Sequence, residues 1–277
     1  MDKIKIKDLE IYARHGVYPE ENALGQKFLI SAVLYTRTRK PGMMDDLSQS
    51  VNYGEVCQFI AQFMEEHTFK LIETVAERLA QALLLKFPLV KKVKIEVKKP
   101  WAPIGLPLDT VSVEIVREWH KAYIALGSNL GDKAAYLTMG VRMLNAREDC
   151  QVLRISDFII TPPYGVVDQD DFLNGVLELK TTLSPEELLS CLHGIERAAN
   201  RERIIHWGPR TLDLDIIFYD DMVLDTPRLH IPHQEMHKRP FVLIPMAQIA
   251  PWVRHPILQK TVEQLLKEVT ETEGMEN

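Results

Sequence analysis

The chain has 277 residues, 46% hydrophobic and 26% charged, a globular balance with length enough for two ordinary domains. A formal net charge of −6 argues against a general nucleic-acid binder, and no apolar run reaches the roughly 20 residues that span a bilayer. Polar residues interrupt the opening Met1-Asp2-Lys3-Ile4-Lys5, so no secretory peptide is expected, and three scattered cysteines (Cys57, Cys150, Cys191) suit a reducing cytoplasm.

Ile4 and Ile6 alternate with Lys3, Lys5 and Lys7, which predicts a half-buried strand over 3–12. Residues 28–34 repeat that period. Val56, Phe59, Ile60, Phe63 and Met64 fall at helical spacing, so a helix is expected over 54–67. A second helix carries Ile72, Val75, Ala76, Leu79, Leu83 and Leu84. Alternation returns at Val93, Ile95 and Val97, and again at Val111, Val113 and Ile115. This order reads as an α+β unit with an antiparallel sheet.

A boundary is expected at about residue 119, giving domains 1–119 and 120–277, with no glycine-, serine- or proline-rich linker between them. Through Trp119 the chain has 17 Lys+Arg against 16 Asp+Glu; the remainder has 16 against 23. A polyphosphate site in the acidic half would therefore need local arginines and cations.

The second half opens on a strand over 122–126, ending in the turn Gly127-Ser128-Asn129-Leu130-Gly131. Tyr136, Met139, Met143 and Leu144 mark an amphipathic helix, and strands follow near 152–161 and 173–179. Ser184-Pro185-Glu186-Glu187 is a capping box opening a helix with Leu188, Leu189, Leu192 and Ile195. A strand over 212–219 and a helix near 261–269 complete a second α+β domain, with a polar tail after Thr270 expected to fray.

The most informative stretch is His206-Trp207-Gly208-Pro209-Arg210-Thr211-Leu212-Asp213-Leu214-Asp215-Ile216-Ile217. On a strand, Asp213 and Asp215 share one face about 7 Å apart, while Leu212, Leu214 and Ile216 turn to the other. Two such carboxylates repel unless a cation lies between them, and hard oxygen ligands favour magnesium. Read alone, the pair equally fits a solvated acidic strand face. Arg201, Arg203 and Arg210 precede it, and Arg228, His230, His233, Lys238 and Arg239 follow. Guanidinium forks suit phosphate oxygens. The glycine turn lacks the Gly-Lys-Ser/Thr ending of a phosphate-binding loop, so an ATP site here would be built from side chains.

Gly127–Gly131, Thr161-Pro162-Pro163-Tyr164-Gly165, Asp171-Phe172-Leu173-Asn174, the Trp207–Ile217 run and Ile231-Pro232-His233 occur in order. Together they closely resemble 6-hydroxymethyl-7,8-dihydropterin pyrophosphokinase over nearly all of 121–256. The resemblance implies a ferredoxin-like α/β/α fold that takes ATP with two magnesium ions. The β,γ-pyrophosphoryl group would pass to the pterin hydroxymethyl oxygen, releasing AMP. It implies magnesium on Asp213 and Asp215, and a pterin site from Thr161, Pro162, Pro163, Tyr164, Phe172, Asn174 and Phe241. ATP would fall to Glu196, Arg201, Arg203, Trp207, Arg210, Ile216, Arg228, His230, His233 and Arg239, with Arg203 and Arg210 closest to the chemistry. Phe172 stands where the family often has tyrosine, and the stretch between Arg203 and Trp207 is one residue shorter than in some relatives.

In the first half, His15-Gly16-Val17, Glu21–Gln26, Asn52–Val56, Leu71-Ile72-Glu73 and Lys99-Pro100-Trp101-Ala102-Pro103 follow in turn. Together they resemble dihydroneopterin aldolase over 1–118. That resemblance implies a tunnelling-fold antiparallel sheet with two helices, assembled into homo-oligomeric rings (tetramer or octamer) with sites between subunits. Glu73, beside Ile72, would bind the pterin's guanidine-like edge, and Glu21 the side-chain hydroxyls. Lys99 and Tyr53 would move protons without metal or cofactor. The implied sequence is retro-aldol cleavage of 7,8-dihydroneopterin to glycolaldehyde and the hydroxymethyl-dihydropterin, which the second half then pyrophosphorylates. Two alternatives stand beside it: an active pyrophosphokinase carrying a non-catalytic oligomerisation scaffold, and a non-catalytic pterin- or nucleotide-binding module.

Overall fold

The computed structural model describes residues 1–163, 169–199 and 210–275. It divides into two compact units, Met1–Trp119 and His120–Asn277.

The first unit is a four-stranded antiparallel sheet in the order β1 (Asp2–Ala13), β2 (Gln26–Thr36), β3 (Lys92–Lys99), β4 (Val111–Glu118). Short helices α1 (Pro19–Leu24) and α2 (Arg39–Met44) flank β2. The long helices α3 (Tyr53–Glu66) and α4 (Ile72–Lys86) pack on one sheet face. Strict alternation explains that packing: Phe28, Ile30, Ala32 and Leu34 of β2 and Val93, Ile95 and Val97 of β3 are fully buried against Val56, Ile60, Leu79 and Leu83. The edges of the sheet, β1 and β4, each have one strand neighbour.

The second unit runs β5 (His120–Ser128), α5 (Lys133–Asn145), β6 (Cys150–Ile155), β7 (Ile159–Thr161), β8 (Phe172–Thr181), α6 (Pro185–Ala198) and β9 (Asp213–Tyr219). A two-residue hairpin, β10 (Leu224–Asp225) and β11 (His230–Ile231), leads to α7 (Pro240–Ile249) and α8 (Val262–Met275). The sheet order β6-β8-β5-β9, all antiparallel, is the ferredoxin-like pattern. Helices cover both faces. Leu137, Leu144, Leu188 and Leu192 from α5 and α6 meet Ile124, Leu212, Leu214 and Ile216 on one side. Val242, Leu243, Met246 and Leu265 from α7 and α8 meet Tyr123, Val176, Ile217 and Phe218 on the other. An α+β chain of two domains is therefore what the structure shows.

Four details depart from the sequence reading. Helix α1 is only six residues long, too short to show a period, yet it carries Glu21. Helix α7 is apolar all round and contains Pro245, so no amphipathic stripe announces it. The strand expected over 152–161 is broken in two, because the Ser156 hydroxyl accepts the Val176 N–H (2.9 Å) in place of a ladder carbonyl. Helix α8 continues through the expected frayed tail to Met275. Among the described residues no helix is long and apolar enough to cross a membrane.

Leu79 lies fully buried in the first core. Its truncation in Leu79→Ala is expected to lower the stability of the first unit by about 2–5 kcal/mol, read from the denaturant midpoint; a change under 0.5 kcal/mol (about the scatter of a surface substitution) would contradict this packing.

Candidate active sites

In the second unit a cavity of about 350 Å³ opens over β5, β8 and β9. Its floor carries Asp213, Asp215 and Ile217. The alternation of β9 explains why: Leu212, Leu214 and Ile216 fill the opposite core, so the odd-numbered side chains face the cavity. A bulge where β5 steps from Tyr123 to Ile124, opposite Phe218 and Ile216, then turns both Ile217 and Phe218 toward α7.

Close approach at the strand ends assembles the polar wall. Gly127 pairs with Asp213 on one side and Asn174 on the other. A Cβ there would lie 3.0 Å from the Asn174 amide oxygen, so a side chain would crowd that wall. Asn174 donates to the Thr161 hydroxyl (2.7 Å), which fixes its amide plane. Asn129, almost fully buried, accepts the Arg210 N–H at 2.7 Å, donates its own N–H to the Arg210 carbonyl, and donates its amide to Gln169 at 3.0 Å. Asn129 thereby holds Arg210, whose guanidinium pairs with Asp213.

The remaining walls are basic and aromatic. His233 donates its backbone N–H to the Ile217 carbonyl (3.0 Å) and accepts the Glu235 N–H at Nδ1 (3.2 Å). Burial, reinforced by Arg239, pushes its pKa down to about 4, so the ring is neutral at pH 7 with its proton on Nε2. The Arg239 guanidinium lies 5.8 Å from the centroid of Phe241. Phe241 sits in the first turn of α7, opposite Phe172 at the head of β8.

Thr161, Pro162, Phe172, Asn174 and Phe241 of the expected pterin set line this one cavity. So do Arg210, His233, Arg239 and both aspartates. Tyr164, Arg201, Arg203 and Trp207 lie outside the described residues. Pro163 is half-buried beyond the lining, and Arg228 is exposed. His230 bonds Asp225 (2.5 Å) within the small hairpin. Ile216 does not face the cavity: its side chain belongs to the opposite core, and Ile217 takes the lining position. Glu196 is 3% exposed behind the sheet and accepts the Leu214 N–H at 2.9 Å. Sequence reasoning named no role for Asn129 or Ile217; the first was visible only as part of a turn motif, and the second follows the same alternation as the two aspartates.

The donor set suits magnesium. The ion commonly takes one or two carboxylates and completes its shell with water and phosphate. Among the described residues there is no cluster of three His, Cys, Asp or Glu. Two aspartates on an open cavity floor meet that modest requirement, with Arg210 offsetting part of their charge.

In the first unit the central feature is an ion pair. Lys99, at the end of β3, holds Glu21 of α1 at 2.6 Å, and both are more than nine-tenths buried. Glu21 also accepts from the Gln26 amide (2.9 Å) and the Tyr18 N–H (3.1 Å). Burial alone would raise its pKa, but these bonds, led by Lys99, outweigh it and hold the carboxyl below its usual range. The loop before α1 is equally fixed. Asn22 donates to the carbonyls of Arg14 and Gly16, and Gly16 donates to the Phe69 carbonyl. A Cβ on Gly16 would overlap the Glu21 carboxylate. His15, fully buried, accepts the Phe69 N–H at Nδ1 (3.2 Å) and packs edge-on to Phe28. Burial, with the nearby charges of His67 and Lys99, pushes its pKa down to about 4. Tyr53 and Glu73 stand exposed in the first turns of α3 and α4, and Ile72 is half-buried beside Glu73.

Comparison with known proteins matches residues 123–251 to the family model 7,8-dihydro-6-hydroxymethylpterin-pyrophosphokinase and residues 4–116 to dihydroneopterin aldolase. The chain is 41% identical over 143 residues to a 2-amino-4-hydroxy-6-hydroxymethyldihydropteridine pyrophosphokinase of Bacillus subtilis, covering 52% of this chain and 86% of that protein. It is 31% identical to a folic acid synthesis protein of Dictyostelium discoideum across 96% of its own length but 44% of the other's. It thus spans less than half the length of that relative. An Escherichia coli dihydroneopterin aldolase solved with neopterin is 30% identical, covering 42% of this chain and 99% of the other, with a TM-score of 0.40.

Two outcomes follow from the first-unit geometry. Gly16→Ala is expected to displace Glu21 from Lys99 and destabilise the unit by about 1–3 kcal/mol, measurable by chemical denaturation. The depressed pKa of His15 means that the unfolded chain takes up the proton first as pH falls. Stability should therefore decline between pH 6.5 and about 4, by up to roughly 3 kcal/mol, with Glu21 adding to the loss only below about 4.5. Denaturation at a series of pH values should show a flatter profile for His15→Gln, and an unchanged slope would refute this assignment.

Proposed function

We propose that the chain, which belongs to the 7,8-dihydro-6-hydroxymethylpterin-pyrophosphokinase family through its second unit and matches the dihydroneopterin aldolase model in its first, performs both reactions in succession. Residues 1–119 would cleave 7,8-dihydroneopterin to glycolaldehyde and 6-hydroxymethyl-7,8-dihydropterin. Residues 120–277 would transfer pyrophosphate from ATP to the hydroxymethyl oxygen, releasing AMP. The observation that carries this reading is the single cavity onto which Asp213, Asp215, Asn174, Phe172 and Phe241 all open.

A flat, hydrogen-bonding heterocycle suits an aromatic face with fixed polar edges. Phe241 and Phe172 supply the face, and the amide of Asn174, locked by Thr161, supplies an edge. Arg210, Arg239 and the neutral His233 present hydrogen-bond donors to a polyphosphate. Asp213 and Asp215 would hold two magnesium ions, which neutralise charge on the transferring group. No side chain here needs to act as a general base; holding the acceptor oxygen in line with the phosphorus is the larger contribution. Arg201, Arg203 and Trp207 complete the proposed ATP site.

In the first unit the buried Lys99–Glu21 pair is the proton-handling centre. Glu21 would accept from the substrate's side-chain hydroxyls. Removal of a proton from one hydroxyl makes the glycolaldehyde carbonyl as the adjacent carbon–carbon bond breaks. The pterin ring takes the electron pair, and a proton returned to the ring-attached carbon completes the product. Lys99 and Tyr53 would exchange these protons. Glu73, with Ile72, would bind the guanidine-like edge of the ring as a bidentate acceptor. The open edges of β1 and β4 and the exposure of Tyr53 and Glu73 support a homo-oligomer, tetramer or octamer, with sites shared between subunits. The reactants would be pterins and ATP in the cytoplasm.

The test supplies 7,8-dihydroneopterin, ATP and magnesium to the purified chain and follows glycolaldehyde and AMP. Asp215→Asn is expected to lower AMP formation by about a hundredfold or more while leaving glycolaldehyde release intact. Lys99→Ala should lower glycolaldehyde release by roughly 10²-fold or more and spare AMP formation from supplied hydroxymethyl-dihydropterin. AMP formation that needs no pterin, or glycolaldehyde release indifferent to Lys99, would defeat the respective half.

A further inference from the structure

In the first unit two segments outside the regular elements meet across 54 residues of chain. Gly16 donates its backbone N–H to the Phe69 carbonyl at 2.9 Å, and Phe69 returns its own N–H to Nδ1 of His15 at 3.2 Å. The rings of His15 and Phe69 are stacked, with centroids 5.8 Å apart and planes inclined by 17°. Phe69 stacks in turn with His67, at 5.6 Å and 8°. Two hydrogen bonds and a ring contact thus clamp His15-Gly16 to Phe69. His15 is fully buried, so water competes little for its bond.

Each side of the clamp leads to a carboxylate. A Cβ on Gly16 would come within 2.3 Å of a Glu21 carboxylate oxygen, so the place of Gly16 sets the room that this group has. Phe69 stands four residues before Glu73, in the approach to α4, and Leu71 starts that helix without a side-chain cap. Val75, Ala76 and Leu79 fix the body of α4, each fully buried in the core. The clamp therefore ties the loop that leads to Glu21 to the start of a helix that cannot shift freely.

We infer that this clamp is a specificity device of the first site, with His15 as its positioning residue. It sets how far the Glu21 carboxylate stands from that of Glu73, and so favours a pterin with a hydroxylated side chain over one with none. The inference rests on the proposed roles of Glu73 at the ring edge and Glu21 at the side-chain hydroxyls. Its readouts need no turnover. The whole chain is titrated with neopterin and with pterin, which lacks the side chain. Each affinity is read from amide hydrogen exchange in residues 14–18 and 68–73, so occupancy of the second unit's cavity does not enter. Asparagine in His15→Asn keeps an acceptor near the place of Nδ1, and its neopterin-to-pterin affinity ratio should stay within about threefold of wild type. Leucine in His15→Leu keeps bulk without an acceptor, and should lower that ratio roughly tenfold by weakening neopterin alone.

A merely structural role would weaken both ligands together or reduce the number of sites, leaving the ratio unchanged; that result would overturn the inference. So would an asparagine variant as impaired as leucine, which would assign the effect to the ring itself. If the leucine chain does not fold, the wild type decides. Its Gly16 and Phe69 amides should open as one unit, with protection within about threefold of each other and raised together by neopterin. Protection of one without the other would overturn the clamp. Glu21→Ala separates the inference from the reading beneath it. A ratio moved by Glu21→Ala but not by His15→Leu would overturn the inference alone, and a ratio moved by neither would overturn the role of Glu21 as well.

Discussion

The register of β9 against β5 is the constraint on which the second site depends. Gly127 opposite Asp213 and Ala125 opposite Asp215 place both carboxylates on one face, and the leucines between and before them anchor the other. A slip of one residue would bury two aspartates among Leu188, Leu192 and Ile195, at a cost of several kcal/mol per charge. That penalty specifies the register more firmly than the backbone ladder could. The cavity wall then follows, since the same β5 turn that pairs with Asp213 also pairs with Asn174 and buries Asn129 against Arg210.

The first unit manages charge in the opposite way. Lys99 and Glu21 neutralise one another in a nearly dry setting, where an isolated charge would be untenable. The arrangement survives because Glu21 has three donors and because Gly16 leaves room for its carboxylate. A neutral, fully buried His15 beside the pair adds no second positive charge at pH 7.

Much of this was legible in the residues. The alternation at Val93–Val97 and Val111–Ile115, the helical stripe at Val56–Met64 and the capping box at Ser184 each encode a local period or cap, and each formed as the physics of that pattern requires. The Asp-x-Asp face was legible for the same reason. What was not legible depends on tertiary events. The bulge that turns Phe218 to the same side as Ile217 comes from pairing with a strand some ninety residues away. Helix α7, which carries Phe241, is apolar even at its exposed Ile244, so a periodic signal could not mark it. Glu196 looked like one more polar ligand, and its burial and its bond to the Leu214 N–H depend on the packing of α6 beside β9, which no local pattern encodes.

The contrast between the two sites bears on why they sit on one chain. A site that moves protons needs groups whose charges are already balanced, so that a small change in proton position is not swamped by the field; on the proposed reading the Lys99–Glu21 pair meets that need. A site that transfers a polyanionic group needs carboxylates that can gather divalent cations and arginines to meet the phosphates; on the proposed reading Asp213 and Asp215, with Arg210 and Arg239 on the same cavity, meet that need. Neither set could be adapted to the other's task without reversing its electrostatics. On the proposed reading the two chemistries act on the same carbon substituent of the pterin in turn, the first exposing the hydroxymethyl oxygen that the second modifies. One pocket could not serve both steps, so a chain that carries out both needs two cores, and it has two.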